Sequence, residues 1–294
     1  MVPIHVHSSE NLPSMIQPAL HGAAFLADVA TVLGSGSSFH LWWLGQSGFL
    51  LHWQGHFCLL DPYLSDALTG KYANTDKPHI RMTDRVIAPE HLGFVEVISS
   101  SHNHSDHLDS ATLLPILEAN PAVQVLVPAA NQDFAAQRLG VRSERLRCIN
   151  SGEVLKLGVF EFHGIPAAHE SLDVDDTGRH CYLGYVVRFG RWSLYHSGDT
   201  ILYSGIEDWL SPHQVTVALL PINGRRPERR VAGNLRGCEA AQLARAIKAG
   251  CAIPCHYEMF SFNTETPEEF VAECHRLHQP YAVLRAGERW SPPL

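Results

Sequence analysis

The sequence lacks any C-x-x-C pair, and its seven cysteines, at positions 58, 148, 181, 238, 251, 255 and 274, are odd in number. A regular disulfide framework is therefore excluded, and reduced thiols in a cytosolic protein fit best. Long apolar runs are missing as well. The stretches around Leu41–Trp53 and Val215–Ile222 are too short or too interrupted by polar residues to cross a bilayer. Positive charge is in deficit: 22 Lys and Arg against 30 Asp and Glu leave a net charge of −8, which argues against nucleic acid or an anionic membrane as the main partner. Nothing resembles a linker. The opening Met1-Val2-Pro3-Ile4-His5 has no charged region followed by an apolar one, so a cytoplasmic protein is expected.

What is present is a chain of 294 residues with 45% hydrophobic content, enough to bury a large core. A helix is predicted from about Ala19 to Val32. Strand-like runs follow at Phe39–Leu44, Gly48–Trp53 and His56–Leu60, reading as a meander of hairpins. Tyr63 to Met82 reads as a polar loop of turn formers that could border a site. From Val95 the pattern alternates: strand Val95–Ser100, helix Ser110–Leu117, strand Val123–Val127, helix Ala129–Leu139. Asp109 or Ser110 is the expected cap of the first of these helices, whose length Pro115 leaves open. The second half brings strands at Val154–Leu157, Val159–Ile165, Tyr182–Phe189, Trp192–His196, Val215–Leu220 and Ala252–Cys255. Helices are expected at Cys238–Lys248 and at Pro267–Leu277, the latter capped by Thr266. Two strand-rich halves, each flanked by helices, predict two sheets packed together with helices outside.

The chemistry is concentrated in Ser101-His102-Asn103-His104-Ser105-Asp106-His107, an H-x-H-x-D-H run on a strand-to-helix loop. Histidine and carboxylate are the ligands that hold borderline metals such as zinc. His102 and His104, two apart, face one way at a strand end, whereas Asp106 and His107 suit the turn that follows. The segment can thus feed two neighbouring metal positions. With 19 histidines in the chain, accidental proximity is common, and His5, His21, His40 and His275 read as ordinary surface or hydrogen-bonded residues. The pair His5 and His7, in a polar segment without a carboxylate, reads as incidental. Three more candidates each follow a predicted strand: His169 in Pro166-Ala167-Ala168-His169-Glu170, Asp199 in His196-Ser197-Gly198-Asp199, and His256 in Pro254-Cys255-His256-Tyr257. Cys255, beside His256, is expected to be buried and structural rather than a ligand.

The order H-x-H-x-D-H, His169, Asp199, His256 resembles the metallo-β-lactamase fold superfamily, from about Phe39 to Trp290. Within it, Leu41-Trp42-Trp43-Leu44-Gly45-Gln46-Ser47-Gly48, Leu194-Tyr195-His196-Ser197-Gly198-Asp199 and Ile253-Pro254-Cys255-His256 look most similar to the L-ascorbate-6-phosphate lactonase-like branch. The resemblance implies an α/β (α+β) fold, a four-layer αββα sandwich of two mixed β-sheets flanked by helices. An N-terminal helical extension would occupy residues 1–38 and a single hydrolase domain residues 39–294. It also implies two divalent ions, zinc first, with manganese or iron compatible. His102, His104 and His169 would hold one ion and Asp106, His107 and His256 the other, with Asp199 bridging them. Asp61 would brace the histidine loop from behind.

Two such ions, about 3.5–4 Å apart, can lower the pKa of a water between them towards neutrality and provide a hydroxide nucleophile. Asp106 is expected to orient that water and pass a proton to the leaving group. His196 or Tyr257 would donate to the developing anion. Arg225, Arg226, Arg229, Arg230 and Arg236 crowd one loop of an otherwise acidic chain. Arg225 or Arg226 would bind an anionic substrate group, with Asn223 adding a neutral contact. The expected protein is a dinuclear hydrolase of a small anionic ester or lactone, with no nucleic-acid or membrane partner, and a homo-oligomer is compatible with the resemblance. A metal-dependent phosphodiesterase and a non-catalytic metal-binding or sensing protein are the alternatives.

Overall fold

The computed structural model describes residues 15–34, 36 and 38–293; His5 and His7 lie outside them. Helix α1 (Gly22–Thr31) turns Phe25 and Val29 inward. Phe25 meets the edge of Trp42, whose indole donates to Asp28 Oδ2 at 2.8 Å, so the helix is tied to the first strand by both apolar and polar contact. Strands β1 (Phe39–Gly45), β2 (Gly48–Trp53) and β3 (His56–Leu60) form the expected antiparallel meander. The β2–β3 turn is Gln54-Gly55, both left-handed, which matches the twist of the flanking strands.

Beyond β3 the segment read as a polar loop contains a short helix, α2 (Ala67–Tyr72). It packs there because Leu68 joins a small apolar cluster with Tyr63, Met259 and Phe260. After β4 (Val97–Ser99), helix α3 (Ser110–Ala119) starts at Asp109, whose carboxylate accepts from the Ala111 amide at 3.1 Å. The helix continues past Pro115, which only removes one donor from its interior. Then come β5 (Gln124–Pro128), α4 (Gln132–Leu139), stopped by left-handed Gly140, and β6 (Leu146–Ile149), which the sequence reading missed.

The second half supplies β7 (Val154–Leu157), β8 (Phe160–Pro166), β9 (Leu183–Phe189), β10 (Trp192–His196), α5 (Ile206–Leu210), β11 (Val217–Pro221), α6 (Gly237–Ala246), β12 (Cys251–Cys255), α7 (Glu268–Leu277) and the short β13 (Arg289–Trp290). Helix α7 does not begin on Thr266: Pro267 holds the N-cap position and no side chain caps it. Proline at that position presets the backbone, and the first-turn Glu268 and Glu269 complement the helix dipole instead.

The strands form two mixed sheets, a seven-stranded one in the order β13-β1-β2-β3-β4-β5-β6 and a six-stranded one in the order β12-β11-β10-β9-β8-β7. Helix α4 lies on β5 and β6, and α6 on β11 and β12. The two inner faces share one apolar core. Phe39 of the first sheet, for example, meets Phe189 and Trp192 of the second edge to face. The architecture is the αββα metallo-β-lactamase fold. Its parallel ladders β3-β4-β5 and β10-β11-β12 point several strand ends at the same edge, and these ends carry the chemistry.

His52, buried within the first sheet, accepts from the Gly55 amide at 3.0 Å through Nε2. Burial, with His40 and His56 nearby, pulls its pKa down to about 4. The unfolded chain therefore takes up a proton before the folded one as pH falls below 6.5, so this contribution to stability is lost between pH 6.5 and 4. Thermal unfolding by circular dichroism should show a melting temperature that falls across this window. His52→Gln, which keeps an acceptor but cannot titrate, should reduce that fall by on the order of a few degrees. An identical slope in the two proteins would mean that His52 titrates alike in both states.

Candidate metal centre

Every predicted ligand sits just beyond a strand. His102, His104, Asp106 and His107 occupy the loop after β4, His169 the loop after β8, Asp199 the turn after β10, and His256 the residue after β12. Asp61 follows β3 and Gln46 lies in the β1–β2 turn. Three of these residues, Gln46, Asp61 and His256, have left-handed backbones with φ of 49°, 42° and 62°. Such conformations cost about 1 kcal/mol or more apiece for a residue with a side chain and concentrate at functional sites.

The structure brings the ligand atoms into overlapping groups: His102, His104 and His169; Asp106, His107 and His256; and His102, His107 and Asp199. Asp199 stands between the first two. Its Oδ1 is 3.3 Å from His107 Nε2, and its Oδ2 is 3.6 Å from His256 Nε2 and 3.8 Å from His169 Nε2. Asp106 Oδ2 lies 3.6 and 3.7 Å from the Nε2 atoms of His107 and His256.

The tautomers follow from what lies behind the rings. His107 Nδ1 donates to Asp61 Oδ2 at 2.6 Å, and His169 Nδ1 to the Gly233 carbonyl at 3.1 Å. Ser101 Oγ gives its own proton to Asp61 Oδ2, so it accepts from His102 Nδ1 at 3.0 Å; the Ser101 amide holds the other Asp61 oxygen at 2.8 Å. One buried carboxylate thereby orients two imidazoles with their Nε2 lone pairs facing the centre. His102 Nε2, His107 Nε2 and Asp199 Oδ1 are buried without a hydrogen-bond partner. Orphaned acceptors aimed at one point are costly unless a cation satisfies them, and an imidazole-carboxylate set suits zinc, manganese or iron. The residues fit divalent metal.

The local field agrees. Burial opposes charge at His107, yet the carboxylates of Asp199, Asp106 and Asp61 outweigh it and hold the ring well above its ordinary range. His256 is pushed up to about 9 by the same contest, with Asp199 and Asp106 prevailing over burial. Burial and the facing histidines instead keep His102 well below its usual value, hence neutral. The centre favours positive charge at His107 and His256 and disfavours it at His102 and His104.

His104, Asp106, His169, Asp199 and His256 form the floor of a cavity of about 430 Å³. Its walls carry Tyr72, His79, Phe134 and Phe260 together with the cations Lys71, Lys77 and Arg138. Arg138 also clamps the histidine loop, donating to the Asn103 and Leu108 carbonyls at 2.5 and 3.2 Å.

Five predicted participants are elsewhere. His196 is buried with Nε2 on the Ser47 carbonyl and Nδ1 accepting from the Gly198 amide, so it braces two turns and has no donor left for a substrate. Tyr257 stacks on Trp43 and spends its hydroxyl on the Leu284 carbonyl. Arg225 forms a bidentate pair with Glu239, and Arg226 is tied to Glu265. Their neighbours are matched in the same way, Arg229 to Glu265, Arg230 to Asp76 and Arg236 to Glu239. The five arginines are thus occupied within the protein by three carboxylates, Glu239, Glu265 and Asp76. Asn223 is buried between Asn234 and Asn263, and only Asn263 reaches the cavity. Gln46, Lys71, Lys77 and Arg138 were not singled out as site residues from sequence, since each needs the tertiary fold to reach the centre. Cys255 is buried as expected, and burial raises its thiol well above the usual range.

Fold and site together define a metal-dependent hydrolase of the metallo-β-lactamase superfamily. Residues 58–257 match the family model described as the Beta-lactamase superfamily domain. A UPF0173 metal-dependent hydrolase from Azorhizobium caulinodans is 30% identical over 258 residues, covering 84% of this chain and 97% of that protein. The chain belongs to this superfamily and, within it, to the UPF0173 metal-dependent hydrolases. Among solved structures, the metallo hydrolase Igni18 from Ignicoccus hospitalis is similar in fold, with a TM-score of 0.63, 20% identity, and 88% of this chain and 100% of that chain covered. So is an isothiocyanate hydrolase from Delia radicum gut bacteria, with a TM-score of 0.67, 18% identity, and coverage of 85% and 98%. No helix among the described residues is long and apolar enough to cross a membrane.

Two substitutions test the scaffold behind the ligands. Asp61→Asn leaves one fewer acceptor for the Ser101 and His107 protons and should weaken zinc binding by about 10–100-fold in a chelator competition. Gly198 has φ of 59°, and a Cβ there would lie 2.6 Å from Ser101 Cβ and 2.8 Å from the Leu183 carbonyl. Gly198→Ala should therefore lower both the melting temperature and zinc affinity. Unchanged zinc affinity in both variants would show that the ligands need no such support.

Proposed function

We propose that the protein is a dinuclear metal-dependent hydrolase of a small anionic ester or lactone, as the likeness to L-ascorbate-6-phosphate lactonases suggests. The observation that carries this reading is Asp199, whose Oδ2 lies within 4 Å of His169 in one ligand group and of His256 in the other. His102, His104 and His169 would hold one ion, Asp106, His107 and His256 the other, and Asp199 would touch both. When bound, such a pair supplies water ionised near neutral pH and polarises the scissile carbonyl.

The chain's own groups do the rest. Asp106, at the cavity floor and held by Gln46 at 2.8 Å, orients the attacking water and returns a proton to the leaving oxygen. The anionic part of the substrate meets Lys71, which makes a long 3.4 Å contact to Ser105 Oγ, with Lys77 and Arg138 adding to the field. The less polar part lies against Tyr72, His79, Phe134 and Phe260. This arrangement takes the anion-binding role from Arg225 and Arg226 and gives it to the cavity's own cations. Zinc is the ion proposed first, a small anion the partner, and the cytoplasm the setting.

Chelator-stripped protein reloaded with zinc or manganese should hydrolyse members of a panel of anionic lactones and esters. Asp106→Ala should lower kcat by about 10²-fold or more. Lys71→Ala should raise KM for anionic substrates while leaving neutral ones nearly unaffected. Turnover confined to chromogenic phosphodiesters would replace the ester and lactone reading with a phosphodiesterase. No turnover on either panel by metal-loaded protein would favour a metal-binding or sensing role.

A further inference from the structure

Gln46 stands where one half of the centre would take its ion. It lies in the β1–β2 turn, buried, with φ of 49°. Its carbonyl accepts from the Trp43 indole and the His256 amide, both at 2.9 Å, so the peptide is held in place. Its side chain enters the centre. The carboxamide nitrogen is 2.8 Å from Asp106 Oδ2 and 2.9 Å from His256 Nε2, two of the three ligand atoms of the Asp106, His107 and His256 group.

A ring nitrogen of imidazole has a single lone pair in the ring plane. It can accept a hydrogen bond or bind a cation, not both. If His256 Nε2 instead carried the proton, an amide turned to accept it would set its oxygen against Asp106 Oδ2, acceptor facing acceptor, so the carboxylate favours the first arrangement; in the second, the ring nitrogen is again no ligand. In either arrangement His256 becomes a ligand only when the contact with Gln46 is given up. His256 also lacks the support that its counterparts have. Its Nδ1 is buried with no partner, whereas His107 is braced by Asp61 and His169 by the Gly233 carbonyl. The group of His102, His104 and His169 has nothing comparable in its way: His102 Nε2 is unpartnered.

Resting on the dinuclear reading above, we propose that Gln46 sets the order and strength of metal loading. The His102, His104 and His169 position fills first. The Asp106, His107 and His256 position fills only when the Gln46 carboxamide releases His256, which makes the second ion the weaker and more readily lost.

The test is titration of zinc into the chelator-stripped full chain against a competing fluorescent chelator, followed for wild type, Gln46→Ala and Gln46→Asn. Asparagine keeps an amide, tolerates the left-handed backbone and is too short to hold both contacts. Wild type should bind two ions in separate steps. Both variants should tighten the second step by about tenfold or more, the worth of one or two released hydrogen bonds, and leave the first step unchanged. Circular dichroism of the metal-free variants checks that they fold, and either variant alone carries the comparison. Two ions with an unmoved second step, or a second step weakened in the variants, would overturn the role of Gln46 while leaving a dinuclear centre standing. One ion at saturation in all three proteins would remove the dinuclear reading itself. One ion in wild type and two in the variants would support Gln46 as a full block.

Discussion

Asp61 is the carboxylate on which the centre depends. It is completely buried and takes protons from the Ser101 amide, the Ser101 hydroxyl and His107, and through Ser101 it reaches His102. An imidazole can present a lone pair in a chosen direction only if its other nitrogen is held, and Asp61 does this for one member of each ligand group. The arrangement also explains the strain at Asp61. A left-handed residue directly after β3 turns its side chain back under the loop after β4, and the parallel pairing of β3 with β4 puts that loop within reach.

The fold makes this economical because the ligands all lie just past strand ends. Parallel pairing aligns those ends, and two sheets sharing one core bring both sets of ends to one edge. Loops there can carry unpaired polar atoms that the core could not tolerate, provided a cation completes them. The surrounding polar groups then divide by task. His196 and Tyr257 spend their hydrogen bonds on backbone carbonyls and amides of neighbouring turns. They hold the ligand-bearing segments in place and face no substrate.

Much of this was legible from residue order, and the reason is physical. Strand periodicity is local, so β1, β2, β3, β7 and β10 stand within a residue of the expected runs. The H-x-H-x-D-H spacing is also local, and the isolated ligands could be picked out because each follows a strand. What failed depended on partners far away in sequence. The arginine loop looks like a substrate clamp until Glu239, Glu265 and Asp76 fold against it. His196 and Tyr257 lie close in sequence to ligands, but Ser47 and Leu284, far along the chain, take their hydrogen bonds. Helix α2 exists because Leu68 packs with Met259 and Phe260, a contact that no short window of sequence contains.

Gln46 shows the same limit from the other side. Its turn belongs to a hairpin that the sequence predicts correctly, and nothing in that hairpin distinguishes its side chain from any polar turn residue. Its meaning appears only when β12 delivers His256 to the same point, with the two backbones joined by the His256 amide and the Gln46 carbonyl. That backbone hydrogen bond keeps ring and carboxamide in register. Two residues more than two hundred positions apart thus form one element, and the ligand's availability depends on a neutral side chain that is no member of the ligand set.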